Sequence, residues 1–131
     1  MDTDALVAID LTRDERTVLR CGLAEWGGPA ACTDELAVAM GFEDVPDLFE
    51  QARRLRAALA DEEPLRASDW RKTLVATEIV FASDVFGSGM DWSTTTGFAD
   101  DETLPILRDL QRKIARALGS AHYRPRPPER L

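Results

Sequence analysis

The sequence predicts an all-α fold, an irregular antiparallel bundle of four or five helices with room for one minor two-stranded β pairing. Three observations predict it. Apolar residues recur at three- and four-residue spacing over most of the chain, the repeat that gathers them on one helix face. Cap-forming residues stand before these stripes, and glycine or proline follows them, as at helix starts and stops. The chain has 131 residues, 44% apolar and 31% charged, the balance of a folded domain of ordinary size.

The run Ala5 to Ile9 is short, apolar and partly β-branched, which suits an edge strand or a packed extended arm. Thr12 and Glu15 form the Thr-x-x-Glu capping box and open a helix over 12–26. Its inward stripe is Val18, Leu19, Gly22, Leu23 and Trp26, and Gly27, Gly28 and Pro29 stop it. Thr33 or Asp34 caps a short second helix with Leu36, Ala37 and Met40 inside, ended at Gly41. Asp44 before Val45 and Pro46 starts a third, because proline fits a first turn where its missing N–H has no partner. The stripe of that helix is Val45, Leu48, Phe49, Ala52, Leu55 and Leu59.

After Pro64, Ser68 or Asp69 is expected to cap a fourth helix reaching Phe86, with Trp70 in its first turn. Apolar residues cover more than one of its faces, as in a helix surrounded by others. Gly87 and Gly89 break it. The loop from Met90 to Gly97 contains β-prone residues, and a pairing of 92–98 with 5–9 is the expected β element. Asp100 or Asp101 opens the last helix, which carries Leu104, Leu107, Leu110, Ile114 and Leu118 to Gly119. Residues 1–119 thus read as one helical domain, and 120–131 as a Pro- and Arg-rich tail, extended unless a partner orders it.

Several chemistries lack their residues. The sole histidine, His122, falls in that tail, which leaves histidine triads and most catalytic zinc sites without support. No Walker loop, GxGxxG, HExxH or CxxC is present. No catalytic set, metal or cofactor is therefore expected, and the expectation is a non-enzyme. No apolar run approaches the ~20 residues that span a bilayer. The acidic start points away from a secretory signal, and Cys21 and Cys32 read as reduced thiols of a cytoplasmic protein.

Charge is unevenly placed. Of the net −8, residues 1–50 hold twelve acids against only Arg13, Arg16 and Arg20, while the remainder is close to neutral. The acids Asp34, Glu35, Glu43, Asp44, Asp47 and Glu50 bracket the second helix and the start of the third. Some are caps and first-turn acids that the helix dipole favours; together they also form a face that would repel nucleic acid and steer a basic protein. The basic stretch 108–131 has no aromatic interleaving or binding module, so nucleic acid is not an expected partner.

The leading functional expectation is a small cytoplasmic protein-binding module, in its concrete form an immunity- or antitoxin-type inhibitor of a basic partner. In it Asp34, Glu35, Glu43, Asp44, Asp47 and Glu50 steer, and Trp92, if exposed in its polar loop, anchors. Folded back over the core, Trp92 would be structural instead. A second expectation is a helical small-molecule binder or non-histidine enzyme with a pocket beside the fourth helix, lined by Glu78, Asp84, Asp91 and Trp92. There Glu78, if buried, would have a raised pKa or an ion pair with Arg71. The spacing of Asp84 and Asp91 does not match a calcium loop. A third is a regulatory homo-oligomer using an amphipathic helix face.

Overall fold

The computed structural model describes residues 4–119, which form six α-helices and one two-stranded antiparallel sheet. The all-α bundle with minor β pairing is thus the architecture of the protein. In chain order the elements are β1 (Leu6–Val7), α1 (Arg13–Ala24), α2 (Asp34–Met40), α3 (Val45–Ala60), β2 (Leu65–Arg66), α4 (Ala67–Ala82), α5 (Trp92–Thr96) and α6 (Asp100–Gly119), with 3₁₀ turns at Glu25–Gly27 and Gly89–Asp91. The tail expected over 120–131 lies outside the described residues.

Local chemistry explains the starts of α1, α2 and α3. The Thr12 hydroxyl accepts the Glu15 N–H at 3.1 Å while Glu15 Oε1 accepts the Thr12 N–H at 2.8 Å, closing the capping box. Thr33 accepts from Leu36 N–H at 3.2 Å and Asp44 from Asp47 N–H at 2.8 Å. At α4 neither Ser68 nor Asp69 is the cap. The carboxylate of Asp4, 64 residues upstream, accepts from the Ser68 N–H at 2.9 Å and the Ser68 hydroxyl at 2.8 Å.

That arm also corrects the expected β pairing. β1 pairs with β2, Leu6 opposite Arg66 and Val7 opposite Leu65, rather than with 92–98. Pro64 holds the residue before it out of helical geometry, and Leu65–Arg66 enters α4 in extended form. Residues 92–96 instead coil into α5, a turn that buries the Trp92 ring and in which the Thr96 hydroxyl donates to the Trp92 carbonyl at 2.7 Å. α4 is likewise shorter than expected. Ser83 Oγ accepts the N–H groups of Val85 and Phe86 at 3.2 and 3.0 Å, a serine turn that ends the helix at Ala82.

The core lies where α4 meets α1, α2, α3 and α6. Each tryptophan is buried and donates its indole N–H inside the fold: Trp26 to the Ala76 carbonyl, Trp70 to the Val7 carbonyl and Trp92 to Thr103 Oγ1. Such pairing lets a large apolar ring be buried without an orphaned donor. Phe49 and Leu104, expected inside, are 43% and 48% exposed, and Val85, Phe86 and Met90 are also exposed.

Candidate functional site

The acidic residues singled out in the sequence meet where α2 turns into α3, and the structure divides them into two sets. Asp34 Oδ1 accepts the Val45 N–H at 3.0 Å, Asp44 caps α3, and Asp47 Oδ2 accepts the Glu43 N–H at 3.0 Å. These three hold the corner together. Glu35, Glu43 and Glu50 are exposed, and among the described residues no hydrogen bond or ion pair holds their carboxylates. Val38 lies one turn beyond Glu35 on α2 and is 58% exposed; Phe49 precedes Glu50 on α3. A cation borders the corner: the Lys72 stem passes 3.1 Å from where a Cβ on Gly41 would stand, and its ammonium lies 5.6 Å from the Phe42 ring centroid.

An exposed anchor at Trp92 is corrected. The ring is fully buried in α5, edge-on to Phe81 with centroids 5.5 Å apart, and its N–H reaches Thr103 Oγ1 at 2.8 Å. The loop coils into a helical turn and places the indole inside, so Trp92 joins α5 to the first turn of α6.

Of the four residues expected to line a pocket beside α4, Trp92 is buried, and Glu78 and Asp84 are each held in a separate contact. Glu78 accepts the Gln111 amide N–H at 2.6 Å and ties α4 to α6, and among the described residues it has no ion pair with the exposed Arg71. Asp84 Oδ1 accepts the Met90 N–H at 2.9 Å and closes a turn in which Gly89 has φ +44°; a Cβ there would stand 1.8 Å from that oxygen. Asp91 is exposed on the adjoining 3₁₀ turn. Two clefts lie elsewhere among the described residues. One of about 410 Å³ runs past Arg54, Pro64 and Asp69, the other of about 430 Å³ between α1 and the end of α3. Neither includes these four residues.

The burial of three carboxylates escaped the sequence reading. Glu15 accepts from Lys113 Nζ at 2.7 Å across 98 residues of chain. Burial pushes its carboxyl up, but the Lys113 hydrogen bond, the Thr12 N–H and the lysine charge outweigh it and hold the pKa below the ordinary value. Glu25 Oε1 accepts from Ser88 Oγ at 2.7 Å and from the Thr95 hydroxyl, pinning the loop before α5 to the end of α1. Asp69 takes a two-pronged bond from Arg54, at 2.9 and 3.2 Å. The signal for the glutamates was helical spacing, since Glu15 lies on the α1 face of Val18 and Gly22 and Glu25 follows three residues later at its C-cap.

Burial also pushes both cysteine thiols up. Glu25 raises Cys21 further and Asp34 raises Cys32 further, which makes weak nucleophiles of them. Among the described residues no group of three His, Cys, Asp or Glu could hold a metal ion, and no helix is long and apolar enough to cross a membrane. Compared with known protein families, curated proteins and solved structures, the chain finds no match.

Proposed function

We propose that the protein is a protein-binding module that engages a basic partner through the α2–α3 corner, in its most concrete form as an immunity- or antitoxin-type inhibitor. One observation carries the reading: a corner tied down by Asp34, Asp44 and Asp47 leaves Glu35, Glu43 and Glu50 unpaired beside the exposed Val38 and Phe49. Exposed apolar side chains supply affinity once desolvated, and carboxylates around them set approach rate and choice of partner. The corner is already ordered, which lowers the entropy lost on binding.

The test compares wild type with Glu35→Gln/Glu43→Gln/Glu50→Gln in co-purification from the native lysate at low and high salt. The three side chains make no bond among the described residues, so the variant keeps its thermal midpoint. A basic protein retained by wild type at low salt, weakened by salt and lost by the variant supports the reading. Equal retention by both forms, or no retained protein, overturns it.

A further inference from the structure

Residues 1–50 have only three bases, and all three line one cleft. Arg13, Arg16 and Arg20 stand at i, i+3 and i+7 on α1, one side of its helical surface, and border the opening of about 430 Å³ together with Leu11, Leu59 and Glu62. Thr17 and Arg20 also line an adjoining cleft of about 170 Å³, where Arg56 of α3 and Cys21 complete the wall. The two openings share Thr17 and Arg20, and together they make an arginine-lined channel along the α1–α3 seam.

The four guanidinium groups are not equivalent. Arg16 is mostly buried, its side chain 14% exposed, and donates to the Leu59 carbonyl at 3.3 Å. Its other nitrogen lies 3.6 Å from the Glu62 carboxylate. Arg13, Arg20 and Arg56 are exposed and, among the described residues, have no carboxylate within ion-pair distance. Glu62 is the one non-glycine described residue in the left-handed region, at φ +56°, a position that glycine or asparagine ordinarily takes. That backbone brings a 73% exposed carboxylate to Arg16. An anion therefore already sits at the channel, held by one weak solvent-screened contact that can be given up easily.

We propose that this channel binds a small multiply charged oxyanion of the phosphate-ester or diphosphate class, which displaces the Glu62 carboxylate from Arg16. Planar guanidinium groups match phosphate oxygens two at a time, and three of the four are free to turn toward a ligand. The opening has the volume of a small-molecule site. A long polyanion is disfavoured, because Asp10 and Asp14 flank the same helix start in a segment of net −9. The proposal is independent of the α2–α3 corner and uses none of its residues.

The test is calorimetric titration with inorganic pyrophosphate at low ionic strength, with citrate and sodium chloride of matched ionic strength as comparisons. Loss of one free arginine, as in Arg20→Ala, weakens pyrophosphate binding about tenfold, the scale of one charge-assisted hydrogen bond. Arg13→Ala/Arg20→Ala/Arg56→Ala abolishes it, with the thermal midpoint of the free protein kept. Glu62→Gln tightens it several-fold, a gain that general attraction between arginine and anions does not predict. Bound pyrophosphate also slows modification of Cys21 by a thiol reagent in a Cys32→Ser background. Pyrophosphate binding no stronger than that of citrate, equal binding by the triple variant, or no change in Glu62→Gln overturns the proposal.

Discussion

Gly22 of α1 lies directly against Thr77 of α4: a Cβ at position 22 would stand 2.2 Å from Thr77 Oγ1 and 2.7 Å from its Cβ. The two helices are that close because one of them lacks a side chain at the crossing. Thr77 is β-branched and fully buried, and its hydroxyl is engaged with the Thr73 carbonyl, so it cannot rotate aside without loss. Gly22→Ala gains up to about 1 kcal/mol of helix propensity but forces the helices apart at their tightest contact. We expect a net loss of about 2 kcal/mol by urea unfolding, as for overpacked cores. Thr77→Ala in the same chain restores part of it, because only the Oγ1 and Cγ2 contacts are removed.

The Glu15–Lys113 pair joins the capping box of α1 to the last helix, and its side chains are 5% and 37% exposed. Lys113→Met leaves Glu15 with only the Thr12 N–H and should destabilise the fold by about 2 kcal/mol at neutral pH, as expected when a buried charged acceptor loses its donor. The pH dependence follows from the direction of the shift. In wild type the carboxyl pKa is depressed, so the stability that Glu15 contributes is present above its unfolded pKa and is lost as pH falls through the folded one. Without Lys113, its hydrogen bond and charge no longer oppose burial, so the carboxyl protonates earlier on acidification than in wild type. The stability gap between the two proteins therefore narrows as pH falls below about 5, near the unperturbed glutamate value. A gap constant with pH would show that Glu15 does not titrate against Lys113.

What the sequence made legible divides by distance along the chain. The Thr12–Glu15 capping box, the Asp44 cap and the apolar stripe of α3 are complete within a few residues and were read with nearly their true bounds. Contacts that close over many residues were not. The Asp4 cap of α4, the Trp92 hydrogen bond and the Glu25–Ser88 bond depend on segments 64, 11 and 63 positions apart. The loop 90–97 was misread for a different reason. Its threonines favour strands by propensity, yet the helical turn is the form that buries Trp92 against Phe81 and bonds it to Thr103, a tertiary contact that propensity does not contain. At the candidate site, the sequence located the acids of the α2–α3 corner and the Asp44 cap, but not that Asp34 and Asp47 are also spent on backbone N–H groups while the glutamates are left free. The arginines of α1 were visible at helical spacing, and their meeting with Arg56 required α3 beside them.

Trp92 gives a prediction that separates architecture from recognition. Replacing it with Phe removes the donor to Thr103 Oγ1 and leaves part of a buried volume unfilled. Unfolding free energy should fall by about 2 kcal/mol, between a lost buried hydrogen bond and a full aromatic deletion. Capture of a basic partner through Glu35, Glu43 and Glu50 should remain as in wild type. Acrylamide quenching offers a direct check, since all three indoles are at most 2% exposed and their fluorescence should be weakly quenched until the chain unfolds. Strong quenching in the native state would place at least one indole on the surface.

Thr73 sets the opposite case, a buried polar atom whose removal should help. Its side chain is fully buried in α4, and among the described residues Oγ1 has no hydrogen-bond partner. A hydroxyl withdrawn from water without a partner carries its desolvation penalty uncompensated, and valine has nearly the same shape. Thr73→Val should therefore leave the fold unchanged and raise its stability by about 1 kcal/mol. Thr77→Val, one turn later, is the control. That hydroxyl donates to the Thr73 carbonyl at 2.9 Å, so its replacement gives up a made bond and should gain less than Thr73→Val, or lose stability outright. Parallel urea titrations of the two variants decide the point, and destabilisation by Thr73→Val would mean that the Thr73 hydroxyl is bonded in solution.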